Sequence, residues 1–247
     1  MNDSKLSTLV IFGATGGIGS ALVRRLRGRF NLVLSGRNEE TLISLAEKTD
    51  SWTCVADATR AQDVEHCFQE AQKKYTRVDG TVHCVGSLLL KPAHITTENE
   101  WEQTIRTNLT SAFHVVKFAA KAMMKAGGSI VLISSAAARA GMANHEAIAA
   151  AKAGIVGLTL SAAASYSQRG IRVNCVAPGL VRSPLTEKML ANPVTEKASV
   201  DQHSLGRLGE PDDVAEAIVW LLESRWVTGQ VIGIDGGLAT VRRRLRA

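Results

Sequence analysis

Aromatic side chains are scarce in this sequence, at 4% of 247 residues, and only two of them are tyrosines. Cysteine is equally thin, and Cys54, Cys67, Cys84 and Cys175 form no CxxC pair. Such cysteines read as reduced core thiols, and no metal site is expected. No unbroken apolar run reaches the roughly 18 residues of a membrane span, so no membrane partner is expected. The short apolar stretch near the N-terminus runs straight into a glycine loop, unlike a secretory leader, and a cytoplasmic protein is the expectation. The net charge of +6 is mild. It comes partly from a basic tail, residues 241–247, with Arg242, Arg243, Arg244 and Arg246. No basic face interleaved with aromatics accompanies it, so nucleic-acid binding is not expected either.

What is present is aliphatic. Apolar residues make up 45% of the chain, enough to bury a full core. Short β-branched runs alternate with helical patterns throughout. Strands are expected at 9–12, 32–34, 52–55, 80–85, 129–133, 171–176 and 230–234. Helices are expected at 17–27, 39–48, 61–75, 100–125, 146–168 and 212–223, with a polar segment before the last. Continuous apolar strands with helices between them predict an α/β domain whose parallel sheet is covered on both faces. Nothing reads as a linker or repeat, so one domain spanning 1–247 is expected, with 182–208 covering the substrate.

The first strand opens into Gly13-Ala-Thr-Gly-Gly17-Ile-Gly19. Glycines there allow positive φ and let backbone approach a pyrophosphate, whose charge then lies at a helix N-terminus. The second strand ends Ser35-Gly36-Arg37. An acid at that point would grip ribose hydroxyls, whereas an arginine suits a 2′-phosphate. NADP is therefore expected over NAD.

Further matches follow in order: Asp57 after the third strand, Asn108 in RTNLTSAF, Ser135 in IVLISS, Lys152 in AAAKAG, Pro178-Gly179 in IRVNCVAPGLVRSP, and a closing TGQVIGIDGG. With them the chain resembles the short-chain dehydrogenase/reductase family, in particular its 3-oxoacyl-carrier-protein reductase-like members. The resemblance implies a single doubly wound Rossmann domain with a seven-stranded parallel sheet of order 3-2-1-4-5-6-7. It implies cofactor contacts from Gly13, Thr15, Gly16, Gly17, Ile18 and Gly19 in the loop, and from Arg37, Asp57 and Ala58 at the adenosine end. Cys84, Val85 and Gly86 would follow, then Lys152, Pro178, Gly179, Val181 and Ser183 at the nicotinamide end. It also implies a small carbonyl or alcohol substrate and a homo-oligomer, a dimer or tetramer. Small residues on the two long helices (Ala119, Ala120 and Ala122; Ala149, Ala153, Gly154 and Gly157) would pair across such an interface or pack on the sheet.

In that family a serine holds the substrate oxygen, a tyrosine exchanges its proton, a lysine tunes the tyrosine and binds ribose, and an asparagine positions a water. Ser135, Lys152 and Asn108 take three of those roles. The tyrosine position, four residues before the lysine, carries Ile148. Tyr166 falls too far along the helix to substitute. The strand-end Asn-Asn-Ala-Gly of the family reads His83-Cys84-Val85-Gly86, and Phe12 and Ser183 stand where threonines are usual. A positioned general acid contributes about 10²–10⁴-fold, and reactant positioning effective molarities of about 10⁵ M or more. Turnover through another donor is therefore compatible with the loss. His145, on the same helix face one turn before Ile148, is the candidate. The same residues also fit an NADP(H)-binding pseudoenzyme acting as sensor or partner subunit, and the tail alone would suit anionic partners.

Overall fold

The computed structural model describes residues 6–241; the four tail arginines lie outside the described residues. Seven parallel strands form one sheet of order β3-β2-β1-β4-β5-β6-β7. They are β1 (Thr8–Phe12), β2 (Asn31–Gly36), β3 (Trp52–Val55), β4 (Gly80–His83), β5 (Gly128–Ile133), β6 (Ile171–Pro178) and β7 (Val231–Ile234). The expected topology is thus observed.

Strand side chains alternate in direction, so a strand buried on both faces must be apolar at every position. β1 shows this directly. Val10 and Phe12 join one core with α3 (Ala61–Tyr75), α5 (Ser111–Met123) and α6 (Glu146–Tyr166). Leu9 and Ile11 join a second core with α1 (Gly17–Leu26), α2 (Glu39–Thr49) and α9 (Pro211–Glu223). Phe12 fills the first core against Phe68, ring centroids 5.6 Å apart. Between β1 and β4 the strand order reverses, which opens the crevice where such sheets bind ligands.

Several expected boundaries change. The helix expected over 100–125 is two helices, α4 (Glu98–Ile105) and α5, joined by a π-helical turn at Arg106–Thr110. α4 begins earlier because Thr97 and Glu100 form a reciprocal capping box. The polar segment after β6 contains α7 (Glu187–Leu190) and α8 (Pro193–Gln202); Asn192 caps α8 by accepting from Val194 N at 2.9 Å. β4 ends at His83, so Cys84 and Val85 belong to the loop. Finally, the helix Glu146–Arg169 is long and apolar enough, by length and composition, to cross a membrane. Alanine and glycine raise its apolar score although no single run is long. It packs on β5 and β6 as a core helix, burying Ala151, Ile155 and Thr159.

Candidate active site

The glycine loop sits at the C-terminal end of β1. Gly13 has φ +75°, and a Cβ there would lie 2.9 Å from the Cys84 carbonyl carbon and the Val85 nitrogen. A Cβ on Gly19 would stand 2.2 Å from the Gly13 oxygen. The loop is thus locked against both α1 and the end of β4. The amides of Gly13 and Ala14 are used on the Ser35 carbonyl, at 2.8 and 3.1 Å. The first N–H groups of α1, at Gly17, Ile18 and Gly19, have no intrahelical acceptor. No side chain caps this end and no acid lies in its first turn. Its positive end is left for an anion.

Beside the loop opens a cavity of about 920 Å³. It is lined by Gly16, Gly17, Ile18 and Gly19, by Cys84, Val85 and Gly86, and by Ser135, His145, Ile148 and Lys152. Pro178, Gly179, Val181 and Ser183 line it too. Asn108 lies behind this wall, fully buried, and Arg37, Asp57, Ala58, Gly13 and Thr15 lie outside the lining. Arg37 occupies a separate depression with Asn38, Glu39, Glu40 and Ile43.

Asn108 is presented by the π turn. Its Oδ1 accepts from Ser87 N at 3.2 Å, and its Nδ2 donates to Ser87 Oγ at 2.9 Å and to the Thr104 carbonyl at 3.0 Å. Every polar atom of the side chain is therefore spent on holding the 85–87 loop. A Cβ on Gly86 would lie 3.1 Å from Asn108 Oδ1 and 3.5 Å from Lys152 Nζ. Asn108, Gly86 and Lys152 thus converge. Lys152 is buried and donates from Nζ to the Ile133 carbonyl at 3.0 Å. Burial pushes its ammonium down to about 8.

Ser134 and Ser135 divide their work. Ser134 Oγ donates to the Lys152 carbonyl at 2.7 Å and fixes α6 to β5. Ser135 Oγ accepts from Ala137 N at 3.1 Å, so its own proton remains available to a ligand oxygen. Ile148, 3% exposed, fills the wall between Ser135 and Lys152 with hydrocarbon. Tyr75 and Tyr166 both pack against the first core, away from the cavity. His145 stands half-buried at the start of α6, its Nδ1–H donating to the Ala143 carbonyl at 2.7 Å. That bond fixes the tautomer and leaves Nε2 as an open acceptor.

Three contributors escaped the sequence reading. His83 braces the end of β4 against α5. Ser111 Oγ donates to the Thr107 carbonyl at 2.6 Å, so His83 Nε2–H donates to Ser111 Oγ at 2.8 Å. Burial and then the Lys152 charge push His83 down to about 3, so it stays neutral, with a buried Nδ1 lacking any hydrogen bond. His114 donates from Nδ1 to the Ala58 carbonyl at 3.2 Å and steadies the turn after β3. His203, 2% exposed, donates from Nδ1 to the Ser199 carbonyl at 2.7 Å and accepts from Leu180 N at 3.1 Å. It ties the end of α8 to the loop after β6. Ser–Thr–His spacing gives no local signal for such cross-chain bonds.

After the end of β3, Asp57 Oδ1 accepts from Thr59 N at 2.9 Å and from Thr59 Oγ1 at 2.8 Å. Burial acts to raise this carboxyl, but the Thr59 bonds, with Arg37 and Arg60 nearby, hold it below its ordinary value.

A family model described as Enoyl-(Acyl carrier protein) reductase matches residues 13–239. The chain is 35% identical to the 3-oxoacyl-[acyl-carrier-protein] reductase FabG of Thermotoga maritima, with 93% of this chain and 96% of that protein covered. It belongs to the short-chain dehydrogenase/reductase family. Among solved structures, a short-chain type dehydrogenase/reductase from Mycobacterium ulcerans superposes with TM-score 0.91 at 28% identity, covering 96% of this chain and 91% of that one. ElxO with NADP bound superposes with TM-score 0.87 at 27% identity, covering 94% and 98%. The relatives are reductases and dehydrogenases, and the residues present fit a nicotinamide dinucleotide: a glycine loop too tightly packed for any Cβ, an uncapped helix start on the cavity, and a buried lysine beside it.

Proposed function

We propose that this short-chain dehydrogenase/reductase exchanges a hydride between NADP(H) and a small carbonyl or alcohol substrate, with a proton donor other than tyrosine. The reading is carried by one juxtaposition: a free Ser135 hydroxyl and the Gly86–Asn108–Lys152 cluster on one cavity with the glycine loop. When bound, the nicotinamide supplies or accepts the hydride. Gly17, Ile18 and Gly19 hold the pyrophosphate by their backbone N–H groups, and Gly13, Thr15 and Gly16 shape the loop that presents them. Asp57 and Ala58 receive the adenine, and Arg37 the 2′-phosphate. Cys84, Val85, Gly86, Pro178, Gly179, Val181 and Ser183 enclose the nicotinamide, and Lys152 binds its ribose.

Ser135 donates to the substrate oxygen and polarises it. Asn108 keeps the 85–87 loop pressed against Lys152. At the family's tyrosine position Ile148 has no proton to exchange. His145, one turn of about 5.4 Å before it, has an open Nε2 and exchanges the proton through the mouth of the cavity.

Calorimetric titration with NADPH and NADH, on wild type and Arg37→Ala, tests this. Glu39 and Glu40 share the arginine's depression, so the expected preference for NADPH is modest, about tenfold or ~1.4 kcal/mol. Arg37→Ala should abolish it. Absence of binding to either cofactor would sink the reading, and NADPH binding without turnover on any carbonyl would make the protein a cofactor-binding pseudoenzyme.

The protein is also read as a cytoplasmic homo-oligomer. Trp101, Phe113 and Leu160 are exposed on α4, α5 and α6, helices that pack together. Ala153 and Gly157 are exposed on α6, whereas Ala119 and Ala120 are buried in the core. An α6-centred interface therefore uses the former pair, and the latter pack on the sheet. A monomeric mass by light scattering would contradict it.

A further inference from the structure

We infer that the substrate side of this site takes uncharged, apolar acceptors whose reduced anion is stabilised by conjugation, quinones above all, in preference to simple ketones. The inference rests on the oxidoreductase reading above and names its substrate class.

Two observations carry it. The first is the lining. Leu88, Leu90, Met142, Leu185 and Met189 join Ile148 around the cavity beyond the glycine loop. No aspartate, glutamate or arginine lines it among the described residues. Lys152 is its one ammonium, with Nζ already on the Ile133 carbonyl. A carboxylate or phosphate on that side would be buried without a dedicated charged partner.

The second is the inventory of protons at the reacting end. Ser134 has spent its hydroxyl proton on the Lys152 carbonyl, whereas Ser87 Oγ accepts from Asn108 Nδ2 and keeps its own neutral hydroxyl proton. Ile148 contributes hydrocarbon, and His145 stands a turn away at the mouth. With Lys152 held by the Ile133 carbonyl and, in the reading above, by the nicotinamide ribose, only neutral hydroxyls, Ser135 foremost, meet the charge as it develops. Reduction of a simple ketone produces an alkoxide, nearly as basic as the conjugate base of water, whose pKa is about 15.7. Without an acid alongside, that charge is poorly supported. A quinone gives a hydroquinone monoanion, a phenolate whose conjugate acid ionises near ~10. Its charge is carried by its own ring.

The reaction balances without an acid in the hydride step. The C–H bond of the reduced dihydronicotinamide breaks, and its electron pair travels with the hydrogen to one quinone oxygen. An O–H bond forms there, the ring becomes aromatic, and the displaced π pair rests on the opposite oxygen. The nicotinamide is oxidised and the quinone reduced by two electrons. One proton from water, by way of His145, then neutralises the phenolate.

The test uses 2,3-dimethyl-1,4-naphthoquinone and 1-tetralone, which share a bicyclic frame. The methyl groups block addition of the Cys84 thiol to the quinone ring. NADPH consumption is measured with both on wild type, Ile148→Tyr and Ile148→Phe. Wild type should consume NADPH with the quinone. Ile148→Tyr should raise the tetralone-to-quinone rate ratio by on the order of 10²–10⁴-fold, and Ile148→Phe, with the bulk but not the hydroxyl, should not raise it. Because the tyrosine variant can misfold, calorimetry on wild type saturated with NADP⁺, which occupies the start of α1, adds a second readout. The quinone should bind at least tenfold more tightly than 2-naphthoate. Wild type that reduces tetralone as fast as the quinone, or that binds naphthoate equally well, would overturn the substrate class while leaving the oxidoreductase reading intact. Failure to bind NADPH would overturn both.

Discussion

The two halves of the cavity are built on opposite rules. On the cofactor side the polar side chains interlock within the protein: Asn108 on Ser87 and Thr104, Ser134 on Lys152, Lys152 on Ile133, and His83 on Ser111. On the substrate side Ile148, Leu88, Leu90, Met142, Leu185 and Met189 supply hydrocarbon among uncharged polar groups, with Ser135 offering an uncommitted proton. Interlocked polar groups fix one geometry, because a buried group that loses its partner costs about 1–3 kcal/mol. Hydrocarbon walls tolerate changes of shape. The cofactor half is thereby rigid and general, and the substrate half adaptable.

The contrast can be broken experimentally. Phe12→Ala removes a ring packed on Phe68 beneath the glycine loop, and the cavity it leaves should cost about 3–5 kcal/mol in urea unfolding. A loss below 1 kcal/mol would mean the core under the cofactor half is looser than the packing indicates.

Lys152→Met gives the next largest effect, visible as pH dependence. Lys152 titrates at about 8 in the folded protein against 10.5 for the free side chain. Between those values the unfolded chain binds more protons, so the stability of wild type should rise with pH from about 8 to 10.5. The total for this shift is on the order of 3 kcal/mol. The methionine variant should lack this rise, and parallel pH profiles for the two proteins would refute the buried-ammonium picture.

Ser111→Ala strips the last partner from a buried, neutral His83 and should destabilise by about 1–3 kcal/mol. A still smaller change is expected in the substrate half. Asn192→Ala uncaps α8 and should cost about 1 kcal/mol. The effect should appear as faster hydrogen exchange or proteolysis across 182–208, with global unfolding shifted less. Equal shifts in both readouts would show that the covering segment is as tightly integrated as the cofactor half.

Much of this architecture was legible beforehand. The apolar strand runs, the glycine loop after the first of them, and Asn108, Ser135 and Lys152 in their intervals pointed to the sheet and its order, and the fold brings those three residues onto or just behind the wall of one cavity. The misreadings share a cause. A single helix over 100–125 was expected because a π turn keeps helical periodicity while widening one turn, and only the wider turn lets Asn108 reach Ser87. The 182–208 segment looked merely polar because α7 and α8 are short and get their stability from packing over the cavity more than from an amphipathic pattern. The His83–Ser111 bond joins a strand to a helix 28 residues later, a separation that leaves no local trace.

Local chemistry is written in the order of residues, and here it determined the sheet and the glycine loop that follows its first strand. Which polar atoms end up spent and which stay free is a matter of three-dimensional partnership. Ser134 and Ser135 are neighbours of identical type. Only the fold decided that the first is bound to the Lys152 carbonyl and the second is left with a proton to offer, because adjacent residues at the end of β5 face different surroundings.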